Sequence, residues 1–423
     1  MLLIKNATIV DPTSKLNGKK RDILINKKGL IESIKSNIKA VKVEVFDAKN
    51  ACVSLGWVDV GTQVGDPGFE HREDLESIVK SAASGGYTAI VPHPNTMPTI
   101  HSKSEINYLK KKTEQDIVDV FPIGAISRDC EGKDITEMYD MHASGAVAFS
   151  DGQKTIQNSG LMMRALQYVK AFDGLVMNHP QDAALAIDGQ MHEGMISTSL
   201  GMKGMPSIAE ELMVQRDLYL AEYTDSKLHL LNISTERSVN LLKDAKSKGI
   251  DVTASVPILN LIFDETAIAE FDPNYKVKPP LREKSDIRAL KKGVKNGTIE
   301  LITSNHTPLD EEAKNLEFPY ADFGIIGLET TYSLCNTFLN DILEIEDMVT
   351  ILAFNPRKLL NLPQPSIEEG VMANLTIFDP NLEWTFSQKD IQSKSKNTPF
   401  VDHEFKGKVL GVVNNGKYHL VGK

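Results

Sequence analysis

The sequence is poor in cysteine, and its cysteines form no motif. Cys52, Cys130 and Cys335 are widely spaced in a chain of 423 residues. This spacing gives neither a disulfide framework nor a cysteine-based metal knuckle. We therefore expect a reducing compartment and predict a cytoplasmic location.

Long apolar runs and an excess of basic charge are also missing. The first residues, MLLIKNATIVDPTSKLNGKK, contain only a short apolar patch before polar residues, which is typical of neither a secretory signal nor a membrane span. The chain has 47 Lys and Arg against 57 Asp and Glu, a net charge of −10, and its basic residues are dispersed. We therefore expect no nucleic-acid partner and no membrane partner.

What the sequence does contain at both ends is short runs with strand character. They are LLIKNATIV, RDILINKKG, LIESIKS and VKVEVFDAK near the start, and NLTIFDP, KVLGVVNNG and KYHLVGK near the end. Alternating and β-branched residues, with Gly, Asn and Asp between the runs, predict antiparallel strands. We predict a small β-sandwich domain built from residues 1–50 and 366–423, which would bring the two ends together.

Between these ends, residues 51–365 alternate apolar runs with helical segments. In the segment SVNLLKDAKSKG, for example, Val239, Leu242 and Ala245 fall on one helical face. Strands that alternate with helices predict a parallel sheet. Eight apolar runs fit a closed (β/α)8 TIM barrel of the α/β class; an open doubly wound sheet is the alternative, but no Gly-rich dinucleotide turn follows the first run. The eight runs are ACVSLGWVDV, TAIVPH, VDVFPIGAI, AVAFS, LVMNH, LHLLNIS, DVTASV and IELITS.

In such a barrel, the chemistry lies where the strands end and the loops to the helices begin. A catalytic zinc needs several His or carboxylate ligands that converge at about 2.0–2.2 Å. Among the residues at the predicted strand ends, only Asp151 and His179 are ordinary ligands, and His306 is a third if its side chain turns inward. The simpler interpretation of Asp151 is that it caps a loop, and that of Asn95 is a turn residue after Pro94. The positions are Gly61, Gln63, Pro94, Asn95, Thr96, Asp151, His179, Asn232, Ser255, Asn305 and His306.

Motifs spread over nearly the whole chain resemble one family. In order, they are LGWVDVGTQVGDPGFEHREDL, PHPNTMP, VAFSDGQ, EGMISTSLGMKGMPSIAEE, VKPPLRE, TSNHTPLDEEAK, FGIIGLETT and SKSKNTPF. Together they resemble the bacterial dihydroorotases of the amidohydrolase superfamily, the class related to the dihydroorotase domain of multifunctional pyrimidine enzymes. The resemblance implies pyrimidine biosynthesis and a zinc site that interconverts carbamoyl aspartate and dihydroorotate.

The resemblance also implies that this chain has lost most of the family's site. The Asp-x-His-x-His of the family's first strand keeps only its Asp, as Asp59. The two histidines, the following Arg, the His after strand six, the catalytic Asp and the second His of the Asp-His-Ala-Pro-His motif fall, respectively, on Gly61, Gln63, Gly65, Asn232, Asn305 and Leu309.

Fewer positions are kept. Asp151 and His179 match metal ligands of the family, and Asn95 matches its substrate-binding Asn. Lys278 stands where the family has a second substrate-binding Asn, before Pro-Pro-Leu-Arg. Asn95 and Lys278 are therefore the candidate substrate-binding residues, and Asp151 and His179 are the candidate residual ligands.

These losses predict a protein without dihydroorotase activity. Amides are weak zinc ligands beside imidazole or carboxylate, and an amide such as Asn305 cannot shuttle a proton. We expect no cofactor, or zinc if the site is functional. Because some relatives with degenerate sites associate with aspartate transcarbamoylase, we expect a structural or regulatory partner of that enzyme, and a homodimer.

Two alternatives stay open. The first is an active cyclic amidohydrolase with a rebuilt site, in which Asp151, His179 and either His93 or His306 hold one weakly bound metal. The second is a cavity that binds a small acidic metabolite without transforming it, with Asn95 and Lys278 as its polar anchors.

Overall fold

A computed structural model describes residues 1–39 and 42–422. Val41, the first residue of the predicted run VKVEVFDAK, and Lys423, the last of KYHLVGK, lie outside this description. The strands are β1 (Leu2–Ile9), β2 (Lys20–Ile25), β3 (Ile31–Lys35), β4 (Glu44–Asp47), β5 (Cys52–Leu55), β6 (Trp57–Thr62), β7 (Tyr87–Pro92), β8 (Asp119–Val120), β9 (Ile123–Gly124), β10 (Ala148–Phe149), β11 (Val176–Asn178), β12 (Met191–His192), β13 (Gly204–Met205), β14 (Leu228–Leu230), β15 (Val252–Pro257), β16 (Leu301–Thr303), β17 (Leu375–Thr385), β18 (Glu404–Asn414) and β19 (Lys417–Leu420).

The helices lie mainly between the central strands. Within the described residues, none is long and apolar enough to cross a membrane. The α-helices are α1 (Leu75–Ser84), α2 (Lys103–Thr113), α3 (Met138–Ser144), α4 (Ser159–Val169), α5 (Met195–Leu200), α6 (Ile208–Thr224), α7 (Glu236–Ser247), α8 (Ile258–Ile262), α9 (Lys284–Lys295), α10 (Glu311–Lys314), α11 (Thr331–Phe338), α12 (Ile345–Val349) and α13 (Asn355–Leu359).

The central strands form a (β/α)8 barrel, as predicted. Strands β6, β7 and β8 pair in parallel, and so do β9, β10, β11, β14, β15 and β16 in that order. Strands β8 and β9 belong to one predicted run, which is interrupted at Pro122 because proline has no N–H to donate to the ladder. The barrel closes where β16 meets β6, and the Ser304 N–H donates to Asp59 Oδ1 across this seam at 2.8 Å.

Apolar side chains of alternate strand positions fill the barrel. Val58 and Val60 of β6 pack with Ala89 and Val91 of β7, and Met177 belongs to the same buried cluster. In a parallel barrel, the carboxyl ends of the strands meet at one rim. The packed interior therefore leaves the loops after the strands as the place for a site.

Both chain ends contribute to one further sheet. Its strand order is β19, β18, β17, β5, β1, β2, β3, and β4 also pairs with β1. The prediction that the terminal runs form antiparallel strands is wrong for one pair, since β4 runs parallel to β1. Strand β5, which belongs to the first predicted barrel run, also runs parallel to β1. Before β4, the chain crosses back to the end of the sheet at which β1 begins. The new strand then runs in the same direction as β1, and such a crossover makes parallel pairs.

The predicted run ACVSLGWVDV is two strands rather than one. Its first part, β5, pairs with β1 and β17 in the terminal sheet, and its second part, β6, is the first barrel strand. Gly56 separates them: its N–H donates to the Asn374 carbonyl at 3.0 Å, and a side chain there would overlap Thr88 and Asn374. The close approach of these groups therefore bends the chain from one sheet to the other.

Candidate functional site

At the end of the first barrel strand, the ring of His93 occupies the space beside Gly61. Gly61 lies at a bulge in β6 with φ +88°, and a Cβ at this residue would lie 2.9 Å from His93 Nε2. His93 is 4% exposed, and burial lowers the pKa of its imidazole to about 4. A neutral imidazole that follows the second strand therefore fills the place next to a residue without a side chain.

Gly65 and Gln63 supply neither an imidazole or carboxylate for a metal nor a charged side chain for an anion. A side chain at Gly65 would overlap the carbonyl oxygens of Phe69 and Glu73. The loop backbone therefore closes over Gly65, the position that the resemblance matches with an arginine. Gln63 is half-buried, and its N–H donates to the His306 carbonyl at 2.9 Å.

At the ends of the sixth and eighth strands, two asparagines bond each other. Asn232 Nδ2 donates to Asn305 Oδ1 at 3.1 Å, and Asn305 Nδ2 donates to the Lys278 carbonyl at 3.1 Å. Asn232 Oδ1 accepts from the Thr303 hydroxyl at 2.8 Å. Both asparagines have positive φ, +54° and +51°, which asparagine tolerates better than most residues. The side-chain polar atoms of both asparagines are thus engaged in hydrogen bonds with other protein groups.

Asp151 and Asn95 serve the loop that follows the fourth strand. The Asp151 carboxylate accepts from the Ser127 N–H at 2.8 Å and from the Ser127 hydroxyl, and burial raises its pKa. Asn95 Nδ2 donates to the Asp151 carbonyl, and Asn95 Oδ1 accepts from the Gln153 N–H, each at 3.0 Å. This is the loop-capping geometry of the simpler interpretation, and the ligand and substrate roles of the two residues stay predictions.

His179 and Lys278 lie close enough to influence each other electrostatically. Burial first, and then the positive charge of Lys278, lower the pKa of His179 to about 3. His93 and Arg282 act on His179 in the same direction. The imidazole of His179 is therefore neutral at pH 7, beside a lysine.

His306 and Leu309 turn away from the other candidates. His306 is completely buried: its Nδ1 accepts from the Gly327 N–H at 3.1 Å, and its Nε2 lies 3.6 Å from Glu73 Oε2. The Leu309 N–H donates to Asn397 Oδ1 at 3.1 Å in the C-terminal segment. His306 thus belongs to the packing between the barrel rim and that segment.

The donor set at this rim does not fit zinc. Between residues 1–39 and 42–422, no group of three or more His, Cys, Asp and Glu side chains is arranged to hold a metal ion. Zinc requires several such donors at short distance. Here, the Asp151 carboxylate is directed to Ser127 and the two asparagines are directed to each other.

A cleft opens beside these residues, and sequence reasoning missed most of its lining. It has a volume of about 630 Å³, and Lys278 and Phe323 are among the residues that line it. Gln153, which donates through Nε2 to the Thr307 hydroxyl at 3.0 Å, could have been found, because it follows Asp151 by two residues at a strand end. Gln181 and Gln190 also line the cleft, but they lie in a long loop after β11 that carries no regular pattern.

Comparison with known proteins agrees with the resemblance of the motifs. The family model described as dihydro-orotase-like matches residues 52–238. The dihydroorotases of Acetivibrio thermocellus and Syntrophus aciditrophicus are 40% and 37% identical to this chain, and each match covers 98% of both chains.

Solved structures agree with the fold. The L-hydantoinase of Arthrobacter aurescens is 24% identical, with a TM-score of 0.85 over 99% of this chain and 95% of its own. The D-hydantoinase of a Thermus species is 23% identical, with a TM-score of 0.82 over 100% and 97%. The identity and coverage of the curated relatives show that this chain belongs to the dihydroorotase family.

Proposed function

We propose that this member of the dihydroorotase family does not interconvert carbamoyl aspartate and dihydroorotate. It acts instead in pyrimidine biosynthesis as a structural or regulatory partner of aspartate transcarbamoylase. The observation that carries the proposal is the amide pair of Asn232 and Asn305, whose polar atoms bond each other and the Lys278 backbone.

The chemistry of these residues supports the proposal. Without a metal, the pKa of an attacking water stays near about 15.7 instead of falling toward about 7. General acid–base catalysis is typically worth about 10²–10⁴-fold in rate, and the amide of Asn305 cannot supply it. The overlap that any side chain at Gly65 would make also argues against a carboxylate clamp there. The residues at these positions therefore support neither metal binding, nor a proton shuttle, nor a substrate anchor.

The retained scaffold supports a role in assembly. Identity of 36–40% to dihydroorotases extends over nearly the whole chain, although the ligand positions differ from the family motif. Conservation of a fold without its catalytic chemistry is expected when the surface of the protein binds a partner. A homodimer is part of the proposal. So is a cytoplasmic location, since Cys52, Cys130 and Cys335 are all free and buried, as is usual in a reducing compartment.

Ring closure and metal content test the inactivity. Purified protein is analysed for metals before and after incubation with Zn²⁺ and is then assayed with carbamoyl aspartate and with dihydroorotate. The dihydroorotase of Acetivibrio thermocellus, prepared in the same way, is the positive control. We expect no stoichiometric metal and no turnover above the uncatalysed rate; turnover above that rate overturns the proposal.

The alternative is an active cyclic amidohydrolase with a rebuilt site. The effect of His93 on the pKa of His179 favours it, because two neutral imidazoles near each other are potential ligands. This alternative expects Zn²⁺ or Mn²⁺ to produce turnover, and it expects His179→Ala to remove both metal and turnover. If the substitution leaves metal uptake unchanged, the site is not at His179.

The partnership is tested with the aspartate transcarbamoylase of the same organism. Sedimentation of the two proteins, alone and mixed, reports complex formation, and carbamoyl transfer is measured in parallel. We expect a heavier complex and a change in the stability or activity of the transcarbamoylase. Independent sedimentation at micromolar concentrations, with unchanged activity, rules the partnership out.

A further inference from the structure

Another cavity lies between the barrel and the terminal sheet, and it shares no lining residue with the cleft at the barrel rim. Its volume is about 360 Å³, which is in the range of sites for small molecules. Ser84 of α1 and Glu329, which precedes α11, line it from the barrel, and Trp384 of β17, Lys408 of β18 and His419 of β19 line it from the sheet. Small-molecule sites often form where two structural units meet.

Hydrogen bonds and ring packing hold the walls of this cavity in place. Ser84 Oγ lies 3.2 Å from His419 Nε2, which joins α1 to β19. Burial lowers the pKa of His419, so its imidazole is neutral at pH 7 and brings no charge to the wall. Trp384 Nε1 donates to the Gly407 carbonyl at 2.9 Å, and the Phe386 ring packs edge-on against the Trp384 ring. A ligand would therefore lose little free energy in ordering these walls.

One of the two carboxylates in the cavity wall is already neutralised. Asp390 Oδ2 accepts from the Ser387 N–H at 2.9 Å and from the Ser387 hydroxyl at 2.6 Å. Asp390 Oδ1 lies 3.8 Å from Lys408 Nζ, and the same ammonium group lies 4.0 Å from the centre of the Trp384 ring. Lys408 is thus held by a carboxylate and by an aromatic face, both of which stabilise a cation.

The other carboxylate, that of Glu329, is buried without a cation. Glu329 is 8% exposed, and its Oε1 accepts from the Gln392 and Ser393 N–H groups at 3.0 and 2.9 Å. Within residues 1–39 and 42–422, its Oε2 accepts no hydrogen bond and forms no ion pair. Lys389, the second lysine at the cavity, is exposed and has no ion pair in the same part of the chain. A buried carboxylate without a counterion is costly, and a ligand with a cationic donor would offset that cost.

We propose that this cavity is a binding site for a small molecule that carries a primary ammonium group, with Glu329 as the residue that binds it. The ammonium group supplies the counterion that Glu329 lacks and donates to its Oε2. The apolar part of the molecule contacts Val409 and Leu420, which line the cavity. The inference goes beyond the proposed function and does not depend on it, since binding is measured without a reaction and without a partner protein.

Calorimetric titration with butylamine, butyrate and butanol tests the site, because these probes share a short apolar chain and differ in charge. The titrations are made at constant ionic strength, since salt screens exposed charges. We expect butylamine to bind at least about tenfold more tightly than butyrate and butanol, as is usual for hydrogen bonds to a charged group. Equal binding of the three probes overturns the proposal, and so does the absence of butylamine binding.

Titration with γ-aminobutyrate distinguishes the two sources of a primary ammonium group. This probe adds a carboxylate that can reach the exposed Lys389 at the edge of the cavity. Binding tighter than that of butylamine supports the proposal with an amino acid as the ligand, and weaker binding supports it with a simple amine. Binding that is no tighter than that of butyrate, for both ammonium probes, contradicts the site.

Glu329→Gln and Glu368→Gln form a matched pair of variants, since each removes one negative charge. A glutamine amide oxygen can still accept from the Gln392 and Ser393 N–H groups, whereas Glu368 is exposed and lies outside the cavity. We expect Glu329→Gln to weaken butylamine binding at least about tenfold and Glu368→Gln to weaken it less than about twofold. An equal loss in both variants means bulk electrostatics and contradicts the site. Thermal unfolding of both variants checks that they are folded, and the probe series on the unaltered protein tests the site if Glu329→Gln is not.

Discussion

At the scale of single residues, the site differs from the family's pattern through what surrounds each replaced position. The space beside Gly61 is filled, because His93 Nε2 lies 2.9 Å from where its Cβ would be. Gly65 is likewise enclosed by backbone carbonyls. A side chain introduced at either position would therefore lie too close to these neighbours.

Gly61→Ala should destabilise the protein through backbone strain and through a close contact with His93. Alanine at φ +88° costs about 1–2 kcal/mol, and the contact with His93 adds to this cost. Gly249→Ala is the matched control, since Gly249 has φ +82° and nothing within 4 Å of its Cβ position. We expect urea denaturation to give a larger loss of unfolding free energy for Gly61→Ala, by about 1 kcal/mol.

A double-mutant cycle separates the two causes. In a His93→Ala background, Gly61→Ala should cost no more than Gly249→Ala, because only the backbone strain remains. If the cost of Gly61→Ala is the same with and without His93, the ring does not occupy that space.

At the scale of elements, hydrogen bonds join the carboxyl ends of the barrel strands to each other. Asp59 of β6 accepts from the Ser304 N–H and hydroxyl at 2.8 and 2.7 Å, which ties the first strand to the eighth. Asn232 and Asn305 tie the sixth to the eighth. Hydrogen bonds between side chains thus hold together the rim of the barrel.

Asn232→Asp should break the second of these ties with little other change. A carboxylate oxygen would face Asn305 Oδ1, which now accepts from Asn232 Nδ2 at 3.1 Å. Asp tolerates positive φ as Asn does, so backbone strain is not altered. We expect the unfolding free energy at pH 7 to fall by about 1–3 kcal/mol, with partial recovery on acidification as the carboxyl group gains a proton to donate.

The control for this substitution is Asn361→Asp. Asn361 also has positive φ, +52°, but it is exposed. Its replacement should change stability by less than about 0.5 kcal/mol. Equal losses for both variants would mean that charge, rather than the lost hydrogen bond, is responsible.

At the scale of the whole molecule, the barrel encloses neutral imidazoles that make stability depend on pH. His229 of β14 is completely buried, its Nδ1 lies 2.7 Å from the Thr253 hydroxyl, and its Nε2 has no partner among the described residues. Burial lowers the pKa of His229 to about 3. As the pH falls from about 6.5 toward 3, the unfolded chain binds a proton that the native protein does not, so stability decreases.

His229→Asn should reduce this pH dependence. The amide keeps a hydrogen-bonding group for Thr253 but does not titrate. Between pH 6.5 and 5, we expect the unfolding free energy of the variant to fall by about 1–2 kcal/mol less than that of the unaltered protein, since one proton corresponds to about 1.4 kcal/mol per pH unit. Urea denaturation at pH 8 measures the packing change separately; parallel curves from pH 8 to 5 would contradict a buried neutral His229.

Much of the fold was predictable because it rests on local periodicity. All eight predicted barrel runs contain barrel strands, and Val239, Leu242 and Ala245 form the buried face of α7 as expected. The division of ACVSLGWVDV at Gly56 was not predictable, since its cause is contact with Thr88 and Asn374, which are distant in sequence. The parallel pairing of β1 with β4 and β5 depends on the same kind of long-range contact.

The sequence by itself determined the family and the identity of the residues at the strand ends, because motifs in order and alternating apolar runs are properties of the chain. Only the tertiary structure decided where those side chains lie: His93 beside Gly61, Asp151 at Ser127, His306 near Glu73 and Lys278 at a cleft. The direction of a side chain is set by packing and hydrogen bonds to groups far along the chain. A local pattern does not contain that information.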